Sequence, residues 1–315
     1  MINRRLIRVK VFKVLFSRMS SGSESMDGAE KELLMSCEKT LELYYFLLTL
    51  PTALKRLSEI KIESGLKKFH PTEEEANPNR RFIENAVIAK LENCRELTDF
   101  CEKKGLLWND YDSVVKKIHS SLMEREYYRS YMNAAENTFE DDLKVVMNIF
   151  EQELEDCEDL SNSLEDASLY WVDDLAYVIN IILKRLSHLK TNSKISFPKV
   201  FIKEDDREFA IRLLGKAMLN YDEYVELMSK YVLNWELDRI ASTDMNLIVL
   251  GIAEAIAFPN IPLKVTINEY VELSKFYSTQ NSKIFVNGIL DKVLLGLQKE
   301  GIIQKSGRGL VGSID

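Results

Sequence analysis

Ile261-Pro262-Leu263-Lys264-Val265-Thr266-Ile267-Asn268-Glu269-Tyr270-Val271-Glu272-Leu273-Ser274-Lys275, followed after a short gap by Ser282-Lys283-Ile284-Phe285-Val286-Asn287-Gly288-Ile289-Leu290-Asp291-Lys292, decides how this chain folds. Ile267, Val271, Ser274 and Tyr277 recur at helical spacing, and Glu272 and Lys275 can pair at i, i+3 on another face. Val286, Ile289, Leu290, Val293 and Leu297 form a second apolar stripe of the same period. Asn281 or Ser282 can cap the second helix by accepting an orphan backbone N–H. Gly288 costs about 1 kcal/mol relative to alanine inside a helix, so the sequence predicts close approach by another backbone there. Asn268 and Asn287 are expected to be half-buried amides. They either tie helices together or serve a site.

Outward from this pair, the pattern stays helical. The 315 residues include only 12 Gly and 6 Pro, too few breakers for a barrel or sandwich. A first helix is predicted over 1–19, then a Ser/Gly-rich linker at 20–28. Residues 30–64 read as helix broken before Pro51, 67–79 as a loop, and 80–104 as one long helix stopped by Gly105. Residues 111–158 are mostly helical with a break near Asn137 and Thr138, 161–166 a polar connection, and 166–189 a strongly apolar helix. After a second linker at 191–199, helices are predicted over 205–220, 221–235, 244–258, 264–277 and 282–299. The glycine-rich last residues, 300–315, read as a flexible tail.

No apolar run approaches the ~20 residues that span a bilayer, and the basic N-terminus has no uninterrupted apolar region, so a cytoplasmic location is the expectation. Cys37, Cys94, Cys101 and Cys157 form no CxxC pair and read as reduced thiols; no metal or cofactor is expected. The formal net charge of −8 is unevenly spread. Residues 136–175 hold fourteen acids against Lys144 alone, a pattern typical of a solvated helix face.

The opposite imbalance sits at the start. Arg4, Arg5, Arg8, Lys10, Lys13 and Arg18 fall within the first twenty residues, without one acid. On a helix, Arg5, Arg8, Phe12 and Phe16 share a strip at i, i+3, i+7 and i+11. Guanidinium groups hold phosphates and stack on bases, and aromatic rings accept unstacked bases. The bland alternatives are a solvated surface for the arginines and core packing for Phe12 and Phe16.

The two blocks quoted first, with the Trp235-Glu236-Leu237-Asp238-Arg239-Ile240 stretch and the apolar helix opened by Asp244, resemble the C-terminal half of the NusB family. Arg4-Arg5-Leu6-Ile7-Arg8, then Phe12, Leu15, Phe16 and Ser17, is similar to that family's arginine-rich first helix. The resemblance implies an all-α, NusB-like bundle of two packed sub-bundles. Residues 1–20 would form the RNA-binding first helix, 201–299 the C-terminal bundle, and 21–200 an inserted or extended helical region. It further implies a transcription antitermination factor binding boxA-type RNA of ribosomal RNA transcripts. NusE, the small-subunit ribosomal protein, would bind with it within the RNA polymerase antitermination complex. Arg4, Arg5, Arg8, Phe16, Lys283, Phe285 and Asn287 would then face RNA, and Asp244 would lie toward NusE. Val249, where the family often has arginine, and Asn281, where it often has an acid, depart from the pattern.

Enzymatic readings find no support: there is no phosphate loop, nucleophile elbow, HExxH or paired-cysteine motif. Nothing after residue 299 reads as the methyltransferase domain that sometimes follows a NusB-like module. The rival expectation is a NusB-like protein-interaction scaffold that does not bind RNA.

Overall fold

The computed structural model describes residues 1–22, 25–231 and 240–311. Its helices, in chain order, are α1 (Arg4–Ser21), α2 (Met26–Leu48), α3 (Leu50–Leu66), α4 (Glu73–Ala76), α5 (Ala86–Glu92), α6 (Arg95–Lys104), α7 (Asp112–Glu124) and α8 (Glu126–Asn133). They continue with α9 (Phe139–Glu153), α10 (Glu158–Ala167), α11 (Leu175–Leu186), α12 (Glu204–Leu219), α13 (Tyr221–Ser229), α14 (Ser242–Ala257), α15 (Leu263–Tyr277) and α16 (Ser282–Lys299). Among the described residues the extended pairing is a single isolated bridge between Ile2 and Phe201. The fold is all-α, as the scarcity of breakers implied. Trp235 to Arg239 lie outside the described residues.

The chain divides into two compact units. A central unit comprises Met1 and Glu38–Val200, and a terminal unit Ile2–Cys37 and Phe201–Asp315. The sequence-based boundary at residue 20 is therefore too early. The first half of α2 belongs to the terminal unit, where Ala29, Leu33 and Cys37 are fully buried.

In the terminal unit, α14 is the core helix. Leu247 to Ala255 are buried on every side, which marks a helix enclosed by others rather than a surface helix with one apolar stripe. Around it pack α1, α12, α13, α15 and α16. Val249, the first departure from the family pattern, is one of these core residues. The stripe expected on α16 is buried in full. Gly288, however, faces open space, with nothing within 4 Å of where a Cβ would stand. Close approaches fall elsewhere: at Gly251 a Cβ would lie 2.6 Å from Leu290 Cδ2, at Gly296 it would run into the Tyr231 ring, and at Gly309 into the Pro259 carbonyl oxygen. Asn268 and Asn287 are exposed rather than half-buried.

Residues 300–310 are not a free tail. Ile303 is buried, the Ser306 N–H donates to the Pro259 carbonyl at 3.1 Å, and Lys305 Nζ donates to Ala255 and Phe258 carbonyls at 2.8 and 3.1 Å. That ammonium satisfies the orphan carbonyls ending α14.

In the central unit, Phe46 stacks on Trp108 at 4.2 Å and lies 5.9 Å from Trp171. The helix expected over 80–104 is two helices. Asn85 caps α5 by accepting from Val87 and Ile88 N–H, and Asn93 ends it before α6 starts after Cys94. Gly105 does stop α6, at φ +66°. Residues 161–166, read as a connection, lie inside α10, and the apolar helix starts later, at Leu175. Part of the acidic run is structural. Thr138 and Asp141 form a reciprocal cap on α9. Buried Asp142 accepts from Tyr131 Oη–H, Asn137 and the Ala86 N–H at 2.6, 2.9 and 2.7 Å.

Candidate nucleic-acid interface

Glu254 is the one charged residue between Met245 and Phe258, and it is fully buried in α14. A carboxylate taken out of water is tolerable only when paired and hydrogen-bonded. Arg8 of α1 supplies the pair. Its Nε–H and a terminal N–H reach the two carboxylate oxygens at 2.6 and 2.8 Å. Thr266 Oγ1 and Tyr270 Oη, both on α15, add hydrogen bonds at 2.9 and 3.1 Å. Burial opposes the charge on Arg8, but the Glu254 carboxylate outweighs it and holds the guanidinium above its ordinary pKa. Burial, then the Glu254 charge, push the Tyr270 phenol well above its usual range.

The neighbouring arginines repeat the arrangement nearer the surface. Arg5 makes a two-pronged contact with Glu269 of α15 at 3.0 and 2.9 Å, and its side chain remains 58% exposed. Its hydrogen bond to Glu269 raises its pKa. Arg4 Nε–H donates to Asp206 of α12 at 3.0 Å. The Phe209 ring lies 4.8 Å from the Arg4 guanidinium and 5.3 Å from that of Arg8. Further along, Phe12 meets Tyr277 at 5.3 Å and Phe16 at 6.1 Å, while Lys13 sits over the Tyr277 ring. Arg18 pairs with Glu32 at 2.5 Å.

These partners show how α1 lies. From Arg5–Glu269 to Phe12–Tyr277 both helices advance by nearly the same number of residues, so α1 and α15 run side by side in the same direction. The strip of Arg5, Arg8, Phe12 and Phe16 is real, but it is turned against the bundle. Arg8 and Phe12 are buried and Phe16 is half-buried. Arg8 is therefore placed as a core ion pair rather than a solvent-facing contact, because a buried carboxylate in α14 requires it.

The remaining candidates separate. Lys283 and Asn287 are exposed one turn apart on α16, so they share a face, and Phe285 is half-buried. They follow Ser282, which opens α16 and hydrogen-bonds Ser278 just after the end of α15. Asp244 is buried at the start of α14 and accepts from Ser282 Oγ–H at 2.8 Å. It ties α14 to α16 and presents no surface to a partner. Asn281, the second departure, stands at the N-cap of α16 without a side-chain cap bond.

Asp206, Glu254 and Glu269 were missed in the sequence. Only Glu254 left a signal there: a lone acid in an apolar helix must find a cation, and the acid-free first helix is its natural source.

The NusB family model matches residues 184–295. The chain is 42% identical over 95 residues to the transcription antitermination protein NusB of Myxococcus xanthus, covering 68% of that protein and 30% of this chain. The chain belongs to the NusB family. The NusB proteins of Salinibacter ruber and Chloroherpeton thalassium are each 40% identical, over 106 and 105 residues. Those alignments cover 34% and 33% of this chain, and 66% and 50% of the two relatives. The chain thus spans from half to about two thirds of the length of these two NusB relatives. No solved structure matches it. The NusB match includes α12 to most of α16 and leaves α1 outside, so the likeness of α1 to the family's first helix rests on its residue pattern. No described helix is long and apolar enough to cross a membrane.

Proposed function

We propose that this protein is a transcription antitermination factor that acts by binding. It takes boxA-type RNA of ribosomal RNA transcripts together with NusE, helps RNA polymerase read through terminators, and carries out no catalysis itself. The observation that carries the reading is the terminal unit. Its α12–α16 bundle corresponds to proteins named for antitermination, and it carries an arginine-rich helix docked on that same bundle. RNA contact is assigned to Arg4 and Arg5 at the exposed end of α1 and to Lys283 and Asn287 on α16, with Phe285 and Phe16 as half-buried flanks. Arg8 supports this edge from beneath. A phosphate reaching Arg4 or Arg5 competes with Asp206 or Glu269, so the RNA must exchange one anion for another. The mostly solvent-exposed Arg5 gives a pair worth ~1 kcal/mol or less, which makes the exchange accessible there, whereas Asp206 is buried and releases Arg4 less readily.

One observation favours a second reading, a NusB-like scaffold without RNA binding: each of the three clustered arginines already holds a carboxylate. Filter binding of boxA RNA and a scrambled RNA of equal length, with and without NusE, separates the two. Preferential retention of boxA supports antitermination, since phosphate contacts alone carry no sequence information. Equal weak retention of both, with NusE binding intact, supports the scaffold.

A further inference from the structure

Between Asp174 and Glu204 the chain carries no acid at all. In that interval stand Lys184, Arg185, Lys190, Lys194, Lys199 and Lys203, directly after the acidic run of residues 136–175. The five lysines are exposed and Arg185 is half-buried. Among the described residues no ion pair holds any of the six. Lys184 and Arg185 lie in the last turn of α11 and complement its dipole. Lys190, Lys194 and Lys199 lie beyond that turn and serve neither a helix end nor a carboxylate.

The run is held in place. The Lys190 N–H donates to Ser193 Oγ at 2.8 Å, and Ser193 Oγ–H donates back to the Lys190 carbonyl at 2.9 Å. The turn so closed leaves Thr191 and Asn192 exposed between Lys190 and Lys194. Lys90 of α5 reaches the Ser193 carbonyl at 3.0 Å and adds a further cation behind the turn. Farther along, the Phe197 ring stacks on Tyr45 at 4.8 Å. The end of the run, in the terminal unit, meets the arginine helix. Phe201 pairs with Ile2, and the Lys203 backbone N–H donates at 3.2 Å to Asp206, the carboxylate that also accepts from Arg4. The acid-free run thus leads along the chain to the first of the arginines assigned to RNA.

We propose that this run binds the sugar–phosphate backbone of the RNA flanking the boxA-type element, a proposal that rests on the antitermination reading. Ammonium groups, with the hydroxyl and amide donors of Thr191 and Asn192 between them, hold phosphate oxygens without reading bases. A segment already pinned by its turn and by Phe197 loses little freedom on binding. The acids of residues 136–175 repel the same strand, so the field of the unit favours the acid-free run. The central unit thereby adds affinity and salt dependence, while sequence preference stays with the edge of the terminal unit.

The test uses the full chain with NusE and two RNAs, a boxA core and the same core flanked on both sides by polyuridine. Filter binding is read across a salt series for the parent and for the Lys190→Glu/Lys194→Glu variant. Lys103→Glu/Lys144→Glu, at exposed lysines of the same unit outside the run, makes the same change in net charge and serves as the control. The parent should hold the flanked RNA more tightly than the core, with a steeper salt dependence. Lys190→Glu/Lys194→Glu should remove that gain and flatten the slope by about 0.7 for each phosphate no longer held, with affinity for the core unchanged. The control should keep the gain. A parent that gains nothing from the flanks overturns the proposal. So does a gain that survives Lys190→Glu/Lys194→Glu, or one that the control loses equally. Polyglutamate that displaces the flanked RNA as well as polyuridine does shows a surface for acidic protein, and also overturns it. Failure of the parent to prefer the core over a scrambled core removes the antitermination reading and this proposal with it, and the core arm alone reveals that case. Thermal melts confirm that these exposed substitutions leave the fold intact.

Discussion

Arg8 and Glu254 are separated by 246 positions in the chain, yet they meet as a fully buried, two-pronged ion pair between α1 and the core helix α14. Removing one partner leaves the other charge buried and uncompensated, which typically costs about 3–5 kcal/mol. Arg8→Ala and Glu254→Ala should each shift the urea midpoint strongly. The Arg8→Met/Glu254→Leu double variant should lose much less than the sum of the two, since no lone charge remains. Additive losses would mean that the pair is not coupled as the geometry has it.

Arg5 provides the contrast. Its side chain is mostly in solvent, so Arg5→Glu should leave the urea midpoint within about 1 kcal/mol of the parent. Combined with Lys283→Glu it should reduce boxA retention, and the salt dependence of binding should flatten by about one unit for each phosphate that the protein no longer neutralises. Unchanged retention and slope would remove both residues from the RNA edge. Reversal of Arg4, Arg5 and Arg8 together does not test this edge, because the loss of Arg8 disturbs the core.

Two glycines should respond with opposite signs. Gly288→Ala meets open space inside a helix and should stabilise the protein by up to about 1 kcal/mol. Gly251→Ala drives a Cβ against Leu290 and should destabilise it by about 1–3 kcal/mol. Urea melts of the two variants are the check, and a destabilised Gly288→Ala would contradict the open face of α16.

His119 makes the central unit sensitive to acid. Its ring is buried, with Nε2 2.9 Å from Ser58 Oγ and Nδ1 3.2 Å from Lys61 Nζ. Ser58 Oγ–H donates to the Leu54 carbonyl and the lysine can only donate, so the neutral ring carries its proton on Nε2. Burial, then the Lys61 charge, lower its pKa from 6.5 to about 4. The contribution of the neutral ring is complete above pH 6.5. Between 6.5 and 4 the unfolded chain binds a proton that the folded chain excludes, so stability falls as pH falls, by about 1.4 kcal/mol per unit. The difference in unfolding free energy between the parent and His119→Gln should shrink from pH 7 to pH 5. A constant difference would mean that the folded ring is protonated as readily as the unfolded one.

The two units should separate. Replacing residues 38–200 with a flexible linker retains Ala29, Leu33 and Cys37 in the terminal core, and the product should keep a helical circular dichroism spectrum and a cooperative urea transition. A linker starting at residue 29 removes those side chains and should fail. Loss of cooperativity in the first replacement would show that the terminal unit depends on the central one.

Local periodicity was enough to read α16 from Ser282 to Lys299, its buried stripe, the stop at Gly105 and the all-α class. Each of these depends on residues within a few positions of one another, through the 3.6-residue repeat or a single backbone conformation. The family blocks were legible for the same reason. Polarity misled where local chemistry overrode it: Asn85 and Asn93 break what looked like one helix, and the polar residues 161–166 form α10 with Leu160 and Leu164 facing inward. The direction in which α1 faces was decided only by tertiary structure. The sequence shows that Arg5, Arg8, Phe12 and Phe16 share a strip, but a helix with a cationic strip can turn it to solvent or to a buried acid with equal local propensity. Glu254, Glu269 and Tyr277, more than 240 positions away, settle that choice, because an unpaired carboxylate in the core of α14 costs more than the desolvation of one guanidinium beside it.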